Sequence, residues 1–164
     1  MTKVLLCIAI VAFTSFCGYA LTKKYRKRKR FFAELKEFNE RFISEISYSR
    51  RPITEFFFAY SYKGEFDEFF NEYFQSMQRG DDIAYDIRKT ELLEFLNAEE
   101  KGVVEDYFLM LGKGDSASQK AYFLGMKERI QKTYAEADGA YKRYGDLYIK
   151  LGFLCGLFII LLII

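Results

Sequence analysis

The sequence has no histidine and only one proline, Pro52, among its 164 residues. Without an imidazole, the chain lacks the usual general base near neutral pH and the commonest metal ligand. With one proline and little strict alternation of apolar and polar residues, helix is favoured throughout. We therefore expect an all-α protein that is not an enzyme and has no catalytic residue, no metal site and no cofactor.

Cysteine is also scarce, and its positions are informative. Cys7, Cys17 and Cys155 all lie in apolar segments near the two ends, and residues 22–146 contain none. The three residues are therefore unsuited to a disulfide framework or a zinc cluster. We expect them to be small apolar residues within membrane-spanning segments.

Long apolar runs occur at both ends. Residues 4–21 are 18 uncharged residues, about 27 Å as a helix, which is just enough for a hydrocarbon core of about 30 Å. Residues 151–164 are wholly apolar, and residues 147–164 reach a similar length if Lys150 extends its ammonium group to the membrane surface. We predict transmembrane helices at 4–21 and 147–164.

Acidic residues are absent before Glu34, whereas a basic collar, Lys23 to Arg30, directly follows the first apolar segment. Lys and Arg near the ends of a span stay on the cytoplasmic side, so residues 22–146 should be cytoplasmic and both short tails outside. We expect these cations to orient the protein in the membrane: Lys23, Lys24, Arg26, Lys27, Arg28, Lys29, Arg30 and, beside the second span, Lys150.

Beyond the collar the charge changes sign. Residues 31–150 contain 23 acidic and 17 basic residues, a net charge of −6. An acidic body repels phosphate, so we expect no nucleic-acid partner. A membrane-tethered protein that binds lipid or nucleic acid through the collar stays the alternative.

A cleaved signal peptide is the other interpretation of the N-terminus. Gly18-Tyr19-Ala20 fits a small-x-small cleavage site, and Lys3 supplies a short basic region before the apolar stretch. A lipidated Cys17 fits less well because Phe16 stands where a small residue is needed. The collar opposes cleavage, since cations placed directly after an apolar segment disfavour translocation. Whether the segment is cleaved stays open at this point.

Start and stop signals divide residues 22–146 into an antiparallel bundle of helices. The first helix is amphipathic, with apolar residues from Phe31 to Ile46 at steps of three and four, and it ends before Pro52. Shorter helices follow at residues 54–62, 65–79 and 82–96.

Two further helices complete the bundle. Asn97 and Glu100 fit a capping box before residues 98–111. After a turn at Gly112, Ser116 and Gln119 are expected to cap a final helix that continues to the end of the chain. Its apolar stripe runs into the second apolar segment: Phe123, Met126, Ile130, Thr133, Ala137, Ala140, Tyr144, Leu147, Leu151 and Leu154.

Two patterns suggest chemistry but fit plainer structural roles. The stretch Gly112 to Ser116 resembles part of a phosphate-binding loop, but its lysine precedes a glycine and Tyr107 occupies the place of the earlier glycine. A turn between helices is the better interpretation. The carboxylates Glu65, Glu68 and Glu72 are expected to form the solvated face of a helix.

Small residues recur at a spacing of four in both apolar segments. Gly152 and Gly156 form G-x-x-x-G, and Thr14 precedes Gly18 by four residues. Such faces allow helices to approach closely within a membrane. The pattern fits packing within one chain or between chains, so a homo-oligomer is possible.

The order of these features resembles the stage III sporulation protein AB family of endospore-forming bacteria. The resemblance covers essentially the whole chain. Its most specific parts are Glu45-Ile46-x-Tyr48 before Pro52, Gly112-Lys113-x-Asp115 with Gln119, and Leu151-Gly152-Phe153-Leu154-x-Gly156. The family is similar to the inner-membrane platform protein F of type II secretion and type IV pilus systems.

The resemblance implies a subunit of the channel that connects mother cell and forespore after engulfment. It implies a location in the mother-cell membrane facing the forespore, beside a cytoplasmic secretion-type ATPase, and it supplies no catalytic residues. On this basis we expect a non-enzymatic platform that engages the ATPase and other channel subunits. We expect its partner surfaces at two turns, marked by Glu45, Tyr48 and Pro52 and by Gly112, Asp115 and Gln119.

Overall fold

A computed structural model describes residues 2–48, 55, 59–80, 87 and 90–163. These residues form four α-helices, α1 (Thr2–Tyr48), α2 (Glu65–Arg79), α3 (Ala98–Met110) and α4 (Ser116–Ile163), and a short 3-10 helix, Glu91–Leu93. No strand occurs in these ranges. The predicted all-α class is confirmed.

The predicted helix ends agree with the structure where both are described. Gly80 ends α2 in a left-handed conformation with φ 74°, a backbone geometry that glycine adopts without strain. Asn97 and Glu100 form the predicted capping box at the start of α3. The prediction for 82–96 is wrong at its C-terminal end, because residues 91–93 form a 3-10 helix that begins at the Thr90 side chain.

Other predictions fall outside the described ranges. Pro52 and residues 54 and 56–58 of the predicted helix at 54–62 lie there, as does much of 82–89, whereas residues 60–62 are described and are not helical. Tyr48 is the last residue of α1, and Glu45 is half-buried one turn earlier.

The chain divides into two compact units. Unit 1 comprises Met1–Arg26 and Ala137–Ile164, and unit 2 comprises Lys27–Glu136. The basic collar therefore contributes Lys23 to Arg26 to unit 1 and its remaining residues to unit 2.

Unit 2 is built around an aromatic core. The α1 residues of the predicted stripe are buried as far as Phe42, and α2, α3 and α4 add further rings. Phe38 is at the centre of this core, with ring contacts to Phe42, Tyr62, Phe66, Phe70, Tyr107 and Phe108. This burial removes a large apolar area from water and stabilises the unit.

One buried polar group links three helices of this core. The Asn39 amide donates a hydrogen bond to the Phe123 carbonyl (3.3 Å), and the Tyr107 hydroxyl donates to the Asn39 side-chain oxygen (3.1 Å). Complete burial raises the pKa of Tyr107 well above its usual value, so the hydroxyl stays a donor. Because the bonds join α1, α3 and α4, they favour one register of these helices.

Unit 1 is an antiparallel pair of helix segments in contact through small residues. A Cβ placed on Gly18 would lie 2.5 Å from the Tyr148 carbonyl oxygen, and one on Gly152 would lie 2.6 Å from the Thr14 carbonyl oxygen. A Cβ on Gly156 would lie 2.5 Å from the Thr14 hydroxyl oxygen. The sequence left open whether these small residues pack within one chain or between two chains. The structure has this packing within one chain.

α4 runs from Ser116 to Ile163 as predicted, but its apolar stripe is buried only as far as Ala137. Phe123, Met126, Ile130, Thr133 and Ala137 are buried, whereas further along the stripe leucines are exposed: Leu147, Leu151 and Leu154. In unit 1 the helices approach at glycines, so the large apolar side chains point outward.

In the described part of the chain, α4 is the one helix long and apolar enough to cross a membrane. Membrane association through this helix fits the second predicted span at 147–164. The first span at 4–21 stays a prediction.

Candidate functional site

Three parts of the molecule were predicted to meet a membrane or a partner: the basic collar, the turn from Tyr48 to Pro52 and the turn at residues 112–119. The structure describes the collar and the turn at 112–119, and residues 49–54 lie outside the described ranges.

The second half of the collar is paired with carboxylates of unit 2. Lys27 lies 3.2 Å from one oxygen of Glu65, and Arg30 lies 4.0 Å from the other. The Lys27 ammonium group also lies 6.0 Å from the centre of the Phe95 ring. Glu65, the first residue of α2, is therefore held against α1 instead of facing water. The predicted solvated face is wrong for Glu65 and right for the exposed Glu68 and Glu72.

Arg28 makes the most buried of these pairs. Its guanidinium binds one oxygen of Glu100, a residue that is 3% exposed. The other oxygen of Glu100 accepts the backbone N–H of Asn97 in the capping box (3.0 Å). Glu100 thus joins the collar to the first turn of α3, and Arg28 neutralises its buried charge.

The pKa of Glu65 reflects this setting. Burial acts to raise it, but a hydrogen bond from its own backbone N–H and the cations Lys27 and Arg30 outweigh burial and lower the pKa below its usual value. The carboxylate is therefore ionised at neutral pH and keeps its two partners.

The first half of the collar is more open. Lys23 and Lys24 are exposed, and neither has a carboxylate partner within the described ranges. Arg26 donates to the Tyr19 hydroxyl (2.8 Å) and stacks over that ring. Lys29 is half-buried and also has a partner, and Lys150 is exposed on α4. The collar therefore differs along its length: Lys23 and Lys24 are exposed, whereas Lys27 and Arg28 are held by carboxylates of unit 2.

The turn at residues 112–119 is an exposed link between α3 and α4. Gly112 and Gly114 have φ angles of 79° and 83°. This left-handed backbone conformation is strained for a residue with a side chain. Asp115 caps α4: its side chain accepts the backbone N–H of Ser118 (2.8 Å) and the Ser118 hydroxyl (3.3 Å). These hydrogen bonds lower the pKa of Asp115.

The predicted cap at Ser116 is therefore wrong by one residue. Ser116 is the first residue of α4, and Asp115 stands at the cap position with its carboxylate at the positive end of the helix. Gln119 has a different role, since its amide donates to the Gly114 carbonyl (3.4 Å) and closes the turn. Met110, two residues before Gly112, exposes 39% of its surface, and Leu124, further along α4, exposes 46%.

The remaining predicted residues are more scattered. Glu45 lies on α1, Pro52 lies outside the described residues, and Gly152 and Gly156 belong to the packing of unit 1. Within the described ranges, no three side chains of His, Cys, Asp or Glu are grouped to hold a metal ion.

Sequence reasoning missed the residues that hold the collar. Glu65 and Glu100 lie 38 and 72 residues from Lys27 and Arg28, and no local pattern marks a pairing over that distance. One feature of the sequence did point to such a pairing. Glu100 is a capping-box residue beside apolar residues of its helix, and an ionised group in such surroundings needs a cation.

The comparisons with known proteins agree on one family. The family model described as stage III sporulation protein AB matches residues 3–164. A relative named stage III sporulation protein AB, from Bacillus subtilis (strain 168), is 25% identical over 170 residues that cover 99% of each chain. No solved structure matches.

Proposed function

The chain belongs to the stage III sporulation protein AB family, and we propose that it is a non-enzymatic platform subunit of the channel between mother cell and forespore. Family membership supports a role in sporulation. In the proposed role, unit 1 anchors the protein in the mother-cell membrane facing the forespore. Unit 2 lies in the cytoplasm and binds a secretion-type ATPase and other channel subunits.

The observation that carries the proposal is the exposed turn at residues 112–119. All residues from Gly112 to Ser118 are exposed, and Asp115 fixes their geometry through its cap. Exposed Met110 adds apolar contact area beside the polar turn. A fixed polar loop with an apolar neighbour is well suited to bind another protein.

The collar contacts bear on the nucleic-acid part of the alternative, a membrane-tethered protein that binds lipid or nucleic acid through the collar. Phosphate binding needs open Lys and Arg side chains. Lys27, Arg28 and Arg30 instead pair with carboxylates of unit 2, which leaves a short basic stretch on an acidic body. The contacts therefore favour a partner other than nucleic acid.

The test is affinity purification of the tagged full chain from sporulating cells. Replacing Asp115 and Gln119 with Ala removes the cap and the hydrogen bond that closes the turn. We expect reduced recovery of the ATPase and a block in late forespore development, with normal membrane level and helicity.

The matched control replaces Glu128 and Gln131 with Ala, which removes one acid and one amide from exposed positions of α4. We expect this variant to recover the ATPase as the unchanged protein does. Equal loss in both variants would place the partner surface elsewhere. Recovery of no ATPase and no channel subunit by a folded, inserted protein would refute the platform role.

A further inference from the structure

An apolar groove runs along one side of the helix pair in unit 1. It has a volume of about 330 Å³, and its walls include Cys17 and Leu21 of α1 and Tyr148, Leu151 and Cys155 of α4. The groove exists because Gly18 and Gly152 supply no side chains to fill it, while Leu21 and Leu151 turn outward. Cys17 and Cys155 are both exposed along it.

The groove leads toward open positive charge. Lys24 follows Leu21 by three residues and Cys17 by seven, so it lies on the same face of α1 as the groove wall. Lys23 and Lys24 are exposed, and α1 carries no acid before Glu34. The end of the groove near the collar is therefore complementary to an anion.

Tyrosines mark the same end. The Tyr25 ring stacks with Tyr144 at 5.3 Å and with Tyr148, a groove residue, at 6.1 Å. Tyrosine is enriched where a membrane protein passes from hydrocarbon to headgroups. The apolar groove thus ends at side chains typical of the membrane–water interface.

From this arrangement, which rests on the proposed insertion of unit 1 in the membrane, we propose that the groove binds an anionic phospholipid. One acyl chain lies between α1 and α4, and the phosphate lies at Lys24 and Lys23. The walls offer an acyl chain apolar contact, and the two ammonium groups select an anionic headgroup over a zwitterionic one. A helix of a second copy is the competing occupant, and the crosslinking experiment distinguishes it from a lipid.

Photo-crosslinking of the full chain tests the proposal. The protein is reconstituted in phosphatidylcholine vesicles that contain either phosphatidylglycerol or phosphatidylcholine with the same diazirine-bearing acyl chain. Peptide mapping should place the crosslinks at the groove walls, with more labelling by phosphatidylglycerol. Cys155→Phe fills the groove and should reduce labelling by both lipids several-fold. Leu154→Phe, at an exposed position outside the groove, should not.

Variants that remove one positive charge test headgroup binding separately from acyl-chain binding. Lys24→Gln should lower the preference for phosphatidylglycerol about fivefold, the factor that corresponds to about 1 kcal/mol for one cation near an anionic surface. Lys120→Gln removes the same charge from an exposed position in unit 2 and should change nothing. If Cys155→Phe fails to accumulate, Cys17→Phe fills the groove from the opposite wall.

Three results would overturn the proposal: equal labelling of the Cys155→Phe and Leu154→Phe variants, equal labelling by the two lipids, or an oxidised dimer through Cys155 that excludes the lipid. Alkaline extraction and ATPase recovery separate this failure from that of the proposed function. A protein that resists extraction and recovers the ATPase without groove labelling would refute the lipid site alone. Extraction from the membrane would refute both.

Discussion

The two units of the molecule place their side chains in opposite ways. In unit 2 the large apolar residues are inside, and Phe31 and Phe38 are fully buried. In unit 1 they are outside, where Phe13 is 68% and Leu161 is 77% exposed, and glycine and threonine form the contact between helices.

This difference shows which solvent each unit suits. Burial of aromatic rings stabilises unit 2 because it removes them from water. Lipid chains are as apolar as leucine, so helices in a membrane gain little by burying leucine and associate through close packing of small residues. Unit 1 has the arrangement expected for hydrocarbon, and unit 2 that expected for water.

The largest effect is expected in the aromatic core. Phe38→Ala removes a fully buried ring that contacts six rings in the described part of the chain and should destabilise unit 2 by about 3–5 kcal/mol. Phe13→Ala deletes the same side chain from an exposed position of unit 1 and should leave unit 2 unchanged. Hydrogen exchange of the α3 amides in the detergent-solubilised protein measures both, and equal losses of protection would contradict the assignment of the two cores.

The next largest effect concerns the collar. Arg28→Ala leaves the buried Glu100 without its cation and should destabilise unit 2 by about 3 kcal/mol. Lys24→Ala removes an exposed cation and should have little effect on the same unit. The double variant Arg28→Met/Glu100→Gln keeps a capping side chain and removes both charges, so it should be more stable than Arg28→Ala. Urea unfolding of the three variants measures these differences in the free energy of unfolding of unit 2.

Substituting glycines of α4 in unit 1 should change stability by a smaller amount, with destabilisation at one position and stabilisation at another. Gly152→Ala forces a Cβ to within 2.6 Å of the Thr14 carbonyl oxygen and should destabilise the helix pair by about 1–3 kcal/mol. Gly139→Ala meets nothing within 4 Å and should stabilise α4 by up to about 1 kcal/mol through helix propensity. Exchange protection of residues 2–26 reports the pair, and destabilisation by both would disprove the close contact as its cause.

The smallest effect is a dependence of unit 2 stability on pH. The pKa of Glu65 is lower in the folded protein than in the unfolded chain, so its contribution is present above the usual glutamate pKa and is lost as pH falls through the lower folded value. Glu65→Gln should therefore flatten the fall in stability on the acid side. An unchanged acid profile in this variant would show that the Lys27 and Arg30 pairs contribute nothing.

Much of the fold follows from local sequence patterns. The three- and four-residue spacing from Phe31 to Phe42, the stop at Gly80 and the capping box at Asn97 are all local, and the structure has each of them. The stripe of α4 correctly predicted one continuous helix, but periodicity shows only which residues share a face, so it did not specify that the face is exposed beyond Ala137.

The sites depended on contacts that no local pattern specifies. The pairs of Lys27 with Glu65 and of Arg28 with Glu100 form only once α2 and α3 pack against α1. The groove similarly requires Gly18 of α1 to meet Tyr148 of α4 across 130 residues of chain. The spacing of small residues predicted that another helix can approach closely at Gly152. Only the fold identified that helix as α1.

Cysteine accessibility tests most directly the claim that unit 1 lies in the membrane and unit 2 in the cytoplasm. In protoplasts of vegetative cells that carry the protein in the plasma membrane, treated with a membrane-impermeant maleimide, Gln78→Cys, an exposed position of unit 2, should react only after the membrane is opened. A cysteine added after Ile164 should react in intact protoplasts, and native Cys17 and Cys155 should stay unlabelled until detergent is added. Labelling of Gln78→Cys in intact protoplasts would contradict the account.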